Sequence, residues 1–276
     1  MTYKSLLVHV DSSPTAAARV NLAISLAQAF DAHLTGLFVG SLPPMYADMG
    51  AFEVSSALKT HLEEYARQAQ ATFDSCTNQA GWASCEWRQT FDEPVGALCL
   101  NARYHDLVIL GQTNPDQQID NLPSNFPESV VLGAGRPALL VPYAGSYETI
   151  GQHVLVAWDE HQEAARALVD ALPLLKQASQ CTLLTVQAKN WKNEDGRVPG
   201  ADIALYLARH GVQVEVKNEF QGALDIGNLL LSFAADQGVD LIVMGAYGHS
   251  RLREIILGGA TQTILSEMTV PVLMSH

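Results

Sequence analysis

The residues best suited to holding a phosphate are Val239-Asp240-Leu241-Ile242-Val243-Met244-Gly245-Ala246-Tyr247-Gly248 and, ten residues further on, Gly258-Gly259-Ala260-Thr261. Residues 241–244 form an unbroken apolar run, which predicts a strand covered on both faces, as in a parallel sheet. Gly245 and Gly248 carry no Cβ, so the backbone there can come close to something bound at the strand's carboxyl end. Gly258 and Gly259 lead into 260–267, a predicted helix whose first free N–H groups would face the same place and form an anion site. His249 either reaches a phosphate or stands exposed in a loop. Arg251 and Arg253 either add charge-assisted contacts or lie on a solvated helix face.

A helix N-terminus contributes about 0.3–1 kcal/mol toward an anion at an exposed site, and up to about 2 kcal/mol when partly buried. Micromolar binding corresponds to about −8 kcal/mol. Converging N–H groups, the Thr261 hydroxyl and an apolar slot must therefore supply most of any affinity. Other chemistry is missing from the sequence. It has no GxxxxGK[ST] loop, no GxGxxG after a first strand, no HExxH and no GxSxG elbow. The nine histidines are scattered; His9, His105 and His153 fall at strand positions that suit structural imidazoles. Asp106 and Asp240 precede buried strands and are expected to satisfy loop N–H groups.

The elements that must position these residues occur twice. Residues 6–11 and 154–159 are each an apolar strand ending in aspartate, Asp11 and Asp159. His105-Asp106-Leu107-Val108-Ile109-Leu110-Gly111 matches 239–245, and Gly111 to Pro137 is the same interval as Gly245 to Pro271. Two copies of one domain, 1–146 and 147–276, follow from this. In the first, strands are expected at 4–10, 33–39, 84–90, 107–110 and 138–141, with helices through about 30 and near 55–79, 93–102 and 127–132. Ser13 is placed to cap the first helix and Pro14 to sit in its first turn. In the second, strands are expected near 153–158, 181–186, 212–217, 240–244 and 271–274. Alternating strands and helices give an α/β fold, two tandem five-stranded open parallel sheets clad on both sides. Loops at 41–56 and 189–200 are long enough to act as lids or partner contacts, or are plain surface loops.

Composition limits the partners. Net charge is −13, which argues against general attraction to nucleic acid or an anionic membrane. Cys76, Cys85, Cys99 and Cys181 form no CxxC pair, which suits reduced thiols in a cytoplasmic protein. The first residues run straight into a strand, and no apolar run approaches membrane-spanning length.

With its glycine pattern, Thr261, the apolar strand before it and Asp159, the sequence resembles the universal stress protein family over nearly its whole length. The resemblance implies a Rossmann-like, adenine nucleotide alpha hydrolase-like fold, with ATP or AMP bound in some members and no nucleotide in others. It implies that Asp159 lies at the ribose and adenine, Val186 offers backbone groups to the base, and Met244 packs beside it. Gly245, Gly248, Gly258, Gly259, Ala260 and Thr261 would surround the phosphates, with or without Mg²⁺. Gly259 replaces a common serine and keeps only the backbone donor; Glu160 adds a carboxylate near the polyphosphate. The last strand of each copy is an edge that needs covering. Such strands pair between protomers in the family, so the tandem resembles an internal pseudo-dimer, with further homodimerisation open.

The first copy departs from the pattern. Asn114, Ser124 and Pro127 stand in the places of Gly248, Gly258 and Thr261. A side chain at 114 narrows the approach and Pro127 removes an N–H. The first copy is therefore not expected to bind ATP in this way, leaving Asp11 as a strand-end polar residue or a helper for another ligand. Two functions follow. One is a stress-response regulatory protein that binds ATP or AMP in its C-terminal domain, with at most slow hydrolysis because no positioned base or P-loop lysine is evident. The other is a nucleotide-free interaction protein acting through protein partners.

Overall fold

The computed structural model describes residues 2–41, 52–117, 122–187, 198–220, 222, 225–246 and 259–276. The chain forms two compact units, Thr2–Thr149 and Ile150–His276. In the first, β1 (Ser5–His9), α1 (Ala16–Phe30), β2 (His33–Val39), α2 (Phe52–Gln79), β3 (Cys85–Thr90), α3 (Pro94–Ala102), β4 (Leu107–Gly111), α4 (Phe126–Gly133) and β5 (Ala138–Val141) alternate in the expected order. The second repeats it with β6 (His153–Trp158), α5 (Gln162–Leu175), β7 (Gln180–Gln187), α6 (Ala201–Arg209), β8 (Glu215–Phe220), α7 (Ile226–Gln237), β9 (Leu241–Gly245), α8 (Gly259–Glu267) and β10 (Val272–Ser275).

Within each unit every pairing is parallel, in the order β3-β2-β1-β4-β5 and β10-β9-β6-β7-β8. The order reverses beside β1 and beside β6, between the first and fourth strands of each copy. Such a switch point opens a crevice at the strands' carboxyl ends. Leu6, Leu7, Val8, Leu107, Val108 and Ile109 are buried, as are Val154, Leu155, Leu241, Ile242 and Val243. These runs are apolar without alternation because helices cover both faces.

Asp106 and Asp240 tie the sheets' amino ends, as expected. Asp106 Oδ2 accepts from the amides of Lys4 and Ser5 at 2.7 and 3.1 Å. Asp240 accepts from Gly151, Gln152 and His153 at 3.0, 2.9 and 3.1 Å. His105 Nε2 and His153 Nε2 reach the hydroxyls of Thr35 and Thr182 at 3.0 and 3.2 Å, the structural role expected of both.

Two expectations need correction. Ser13 does not cap α1, which starts at Ala16; its hydroxyl and amide both donate to Asp11 Oδ1, because a buried carboxylate needs donors. The eighth strand begins three residues later than the sequence pattern put it. Gly211 turns at φ +82 and the Val212 amide bonds back to Leu207 O at 3.1 Å, so Val212 closes α6 instead of opening β8. Among the described residues no helix is long and apolar enough to cross a membrane. The loops at 41–56 and 189–200 fall largely outside the described residues.

Candidate functional site

In the second domain the carboxyl ends of three strands bring Asp159, Val186 and Gly245 side by side. Register sets this: Val156 pairs with Val243 and Trp158 with Thr185, so the next residue or two of each strand line one rim. Asp159 accepts a bond from the His161 amide at 3.0 Å and stands 3.5 Å from His161 Nδ1, its side chain 52% exposed. Glu160 then takes φ +66, a left-handed conformation that costs a non-glycine residue about 1–2 kcal/mol. That turn delivers the chain into α5. Met244 is buried and Val186 half-buried.

Gly245 is required for a reason other than a ligand. A methyl group there would lie 2.5 Å from Ala164 N and 2.7 Å from Glu163 C, so the first turn of α5 already occupies the space. Gly259 is the opposite case. It is exposed at the start of α8, and a Cβ there would meet nothing within 4 Å among the described residues. Ala260 is half-buried and Thr261 buried. The helix is held by a close crossing with α7, where a Cβ on Gly227 would lie 2.6 Å from Thr263 Cβ and 3.0 Å from Ala260 O. Gly248, His249, Arg251 and Gly258 lie outside the described residues.

Glu163 was not singled out from the sequence, yet it stands beside this rim, buried, with Oε2 lacking a partner among the described residues. Burial pushes its pKa up, but bonds from the Gln162 side chain and its own amide, with His276 and His161 nearby, leave it below the usual value. Among the described residues no three acidic, histidine or cysteine side chains are grouped to hold a metal ion.

The first domain has a different arrangement at the same switch point. A cavity of about 310 Å³ opens there, lined among others by His9, Asp11, Arg19, Gly111 and Phe126. Asn114, Ser124 and Pro127, the three residues that break the glycine pattern, are in its wall. Arg19 rises from α1 with its side chain 3% exposed; Nε donates to His9 O at 2.8 Å and Nη2 to Asp11 Oδ2 at 2.7 Å. A Cβ on Gly111 would collide with the Arg19 guanidinium, so this glycine too is fixed by an internal group. Burial raises the Asp11 pKa, yet Arg19, His9 and the two Ser13 bonds outweigh it and the carboxyl stays below its ordinary value.

Sequence reasoning missed Arg19. The available signal was a charge on the buried face of α1, between Ala16 and Ala23, with Asp11 at the preceding strand end. His9 was expected to be a satisfied structural imidazole and is not. Its ring packs against Phe126 with centroids 5.0 Å apart, Nδ1 is 3.8 Å from Asp11 Oδ2, and Nε2 has no partner among the described residues. Burial lowers its pKa to about 4, with Asp11 opposing and Arg19 reinforcing that shift, so the ring is neutral at pH 7.

The model of the universal stress protein family matches residues 2–142 and 151–276. The chain belongs to that family. It is 39% identical over 181 residues to Universal stress protein Slr1230 of Synechocystis sp., an alignment covering 61% of this chain and 57% of the relative's length. A universal stress protein from Archaeoglobus fulgidus shares the fold at a TM-score of 0.69 and 18% identity, covering 98% of this chain and 95% of that one. A universal stress protein solved in complex with cAMP matches 51% of this chain and 98% of that one at 22% identity and a TM-score of 0.33. The nucleotide there is that protein's own ligand.

Proposed function

We propose that the chain is a stress-response regulatory protein whose C-terminal domain binds an adenine nucleotide, ATP or AMP, with little or no hydrolysis. The observation that carries this reading is Gly259, an exposed glycine at the start of a nine-residue helix with no atom of the described residues within 4 Å of where a Cβ would be. Bare N–H groups at such a point suit a phosphate. Asp159 supports it from the other side of the rim, because a half-exposed carboxylate can still accept from ribose hydroxyls. Asp159, Glu160 and Glu163 also place negative charge nearby, so a triphosphate is expected to bind better with Mg²⁺ than without it. A bound nucleotide would supply charge and bulk at this rim and so change the surface the domain offers. That changed surface is the signal a protein partner would read.

The test is titration of the full chain with ATP and AMP, with and without Mg²⁺, beside Gly259→Leu. Its Cβ meets no atom of the described residues within 4 Å, so the variant should fold normally and lose binding at least about tenfold, or about 1.4 kcal/mol. Unchanged affinity in the variant contradicts the site. A nucleotide-free interaction protein is the second reading, and Gly245 favours it. That glycine is explained by helix packing without any ligand, and wild-type chain that binds neither nucleotide would establish this alternative.

A further inference from the structure

The first domain's cavity is not a worn copy of the second domain's site, since its charged residues are neutralised within the wall. Asp11 and Arg19, its two charged lining residues, are bonded to each other at 2.7 Å. His9 supplies the imidazole in the wall and is uncharged at neutral pH. A phosphate or carboxylate entering here would meet a guanidinium whose charge Asp11 already balances, and would lie beside that carboxylate. Removing one partner from a buried pair is strongly unfavourable, so an anion gains little.

Two polar atoms of the wall are nevertheless left over. His9 Nε2 is buried and has no hydrogen-bond partner among the described residues. With Nδ1 facing Asp11, the proton is assigned to Nδ1, which makes Nε2 an acceptor that needs a donor. Arg19 uses Nε on His9 O and Nη2 on Asp11; among the described residues Nη1 makes no bond and remains a donor that needs an acceptor. Leaving His9 Nε2 buried and unpaired is unfavourable, so a ligand group that donates to it gains, and Arg19 Nη1 offers the same ligand a donor. A hydroxyl group donates and accepts at once.

We infer that the cavity at the carboxyl ends of β1 and β4 binds a small uncharged polyhydroxylated compound of monosaccharide size, anchored by His9 Nε2 and Arg19 Nη1. The rest of the wall fits that class. Thr15, Thr113, Asn114 and Ser124 add hydroxyl and amide groups, while Phe126 and Pro123 offer an apolar face to ring C–H groups. The volume of about 310 Å³ is at the lower end for small-molecule sites, which suits one sugar ring better than a nucleoside triphosphate. The same side chains that removed the glycine cradle, Asn114 and Ser124, are polar ones lining this cavity. This inference stands on the first domain alone and is independent of nucleotide binding in the second.

The experiment follows the imidazole nitrogens of the full-length chain by long-range ¹H–¹⁵N NMR during titration with D-glucose and with myo-inositol, glucose 6-phosphate serving as the charged control. A saturable upfield shift of His9 Nε2 with at least one uncharged probe is expected. Glucose 6-phosphate should bind at least about tenfold more weakly at this nitrogen. His9→Phe should abolish the effect as read by a ligand-observed saturation-transfer signal. If that variant does not fold, the wild-type titration decides by itself. Absence of any saturable His9 shift with both uncharged probes, meaning a site filled by water only, overturns the inference, as does a phosphorylated sugar that binds as tightly as glucose.

Discussion

Asp11 and Asp159 end equivalent strands, and what becomes of each shows how one fold yields two different rims. Asp11 is buried and paired with Arg19; Asp159 is half exposed and bonded to the His161 amide of its own turn. The residue eight positions after the aspartate accounts for much of the difference. It is Arg19 in the first copy and Ala167 in the second, and both are buried on the helix face that covers the sheet. A guanidinium there draws the carboxylate inward and fills the space under Gly111, whereas a methyl group leaves the carboxylate at the surface. The glycines that look equivalent in sequence, Gly111 and Gly245, are then demanded by different neighbours, a side chain in one copy and a helix backbone in the other.

The largest expected effect comes from breaking the pair in the first copy. Arg19→Met leaves Asp11 buried without a counter-charge and should lower the stability of that domain by about 3–5 kcal/mol in urea unfolding. Asp11→Asn combined with Arg19→Met should recover much of the loss, since no unpaired charge remains. Next is a pH effect confined to the first copy. His9 titrates at about 4 when folded and near the ordinary 6.5 when unfolded. Between those values the unfolded chain binds a proton that the folded chain does not, so stability falls as pH falls from about 6.5 to about 4. The full loss is about 3 kcal/mol, and His9→Phe should remove it from a plot of unfolding free energy against pH. Protonation of Asp11 adds a further loss below its ordinary carboxylate range.

Smaller effects belong to the second copy. Asp159→Asn should change stability by less than about 1 kcal/mol because the group is half exposed. It should still weaken nucleotide binding about tenfold in calorimetry if the carboxylate meets the ribose. The smallest effect is expected at Glu160, where glycine would relieve the left-handed backbone. The unfolded-state entropy of glycine offsets part of that gain, leaving about 0.5 kcal/mol of stabilisation in thermal melts. Removing the carboxylate should also raise the affinity for ATP in the absence of Mg²⁺.

Much of the fold was legible because strands buried on both faces read as apolar runs. Residues 33–39, 138–141 and 153–158 were placed to the residue for that reason. β8 was misplaced because it is mostly exposed and lacks such a run. Local polar logic was also legible, as Asp106 and Asp240 bond to amides that pairing of neighbouring strands brings to them. His9 and Arg19 were not legible. Their roles depend on a contact between the end of β1 and the interior of α1, and neither residue's type distinguishes a satisfied group from one left over. Ser13 failed as a cap for a related reason, since a buried carboxylate two residues earlier claimed its hydroxyl. In the second copy, Asp159, Val186 and Gly245, which only the family resemblance had grouped, share a rim, and α8 starts at Gly259, within a residue of where the glycine spacing put it.

The central claim is that the two copies have diverged, so that a nucleotide is taken by the second and refused by the first. Backbone amide NMR of the full chain titrated with ATP and Mg²⁺ tests it most directly. The account predicts saturable shifts at one equivalent for Asp159, Val186 and Gly259 to Thr261, with His9, Gly111 and Asn114 unmoved. Shifts centred on His9, Gly111 and Asn114, or no saturable shift in either copy, would contradict it.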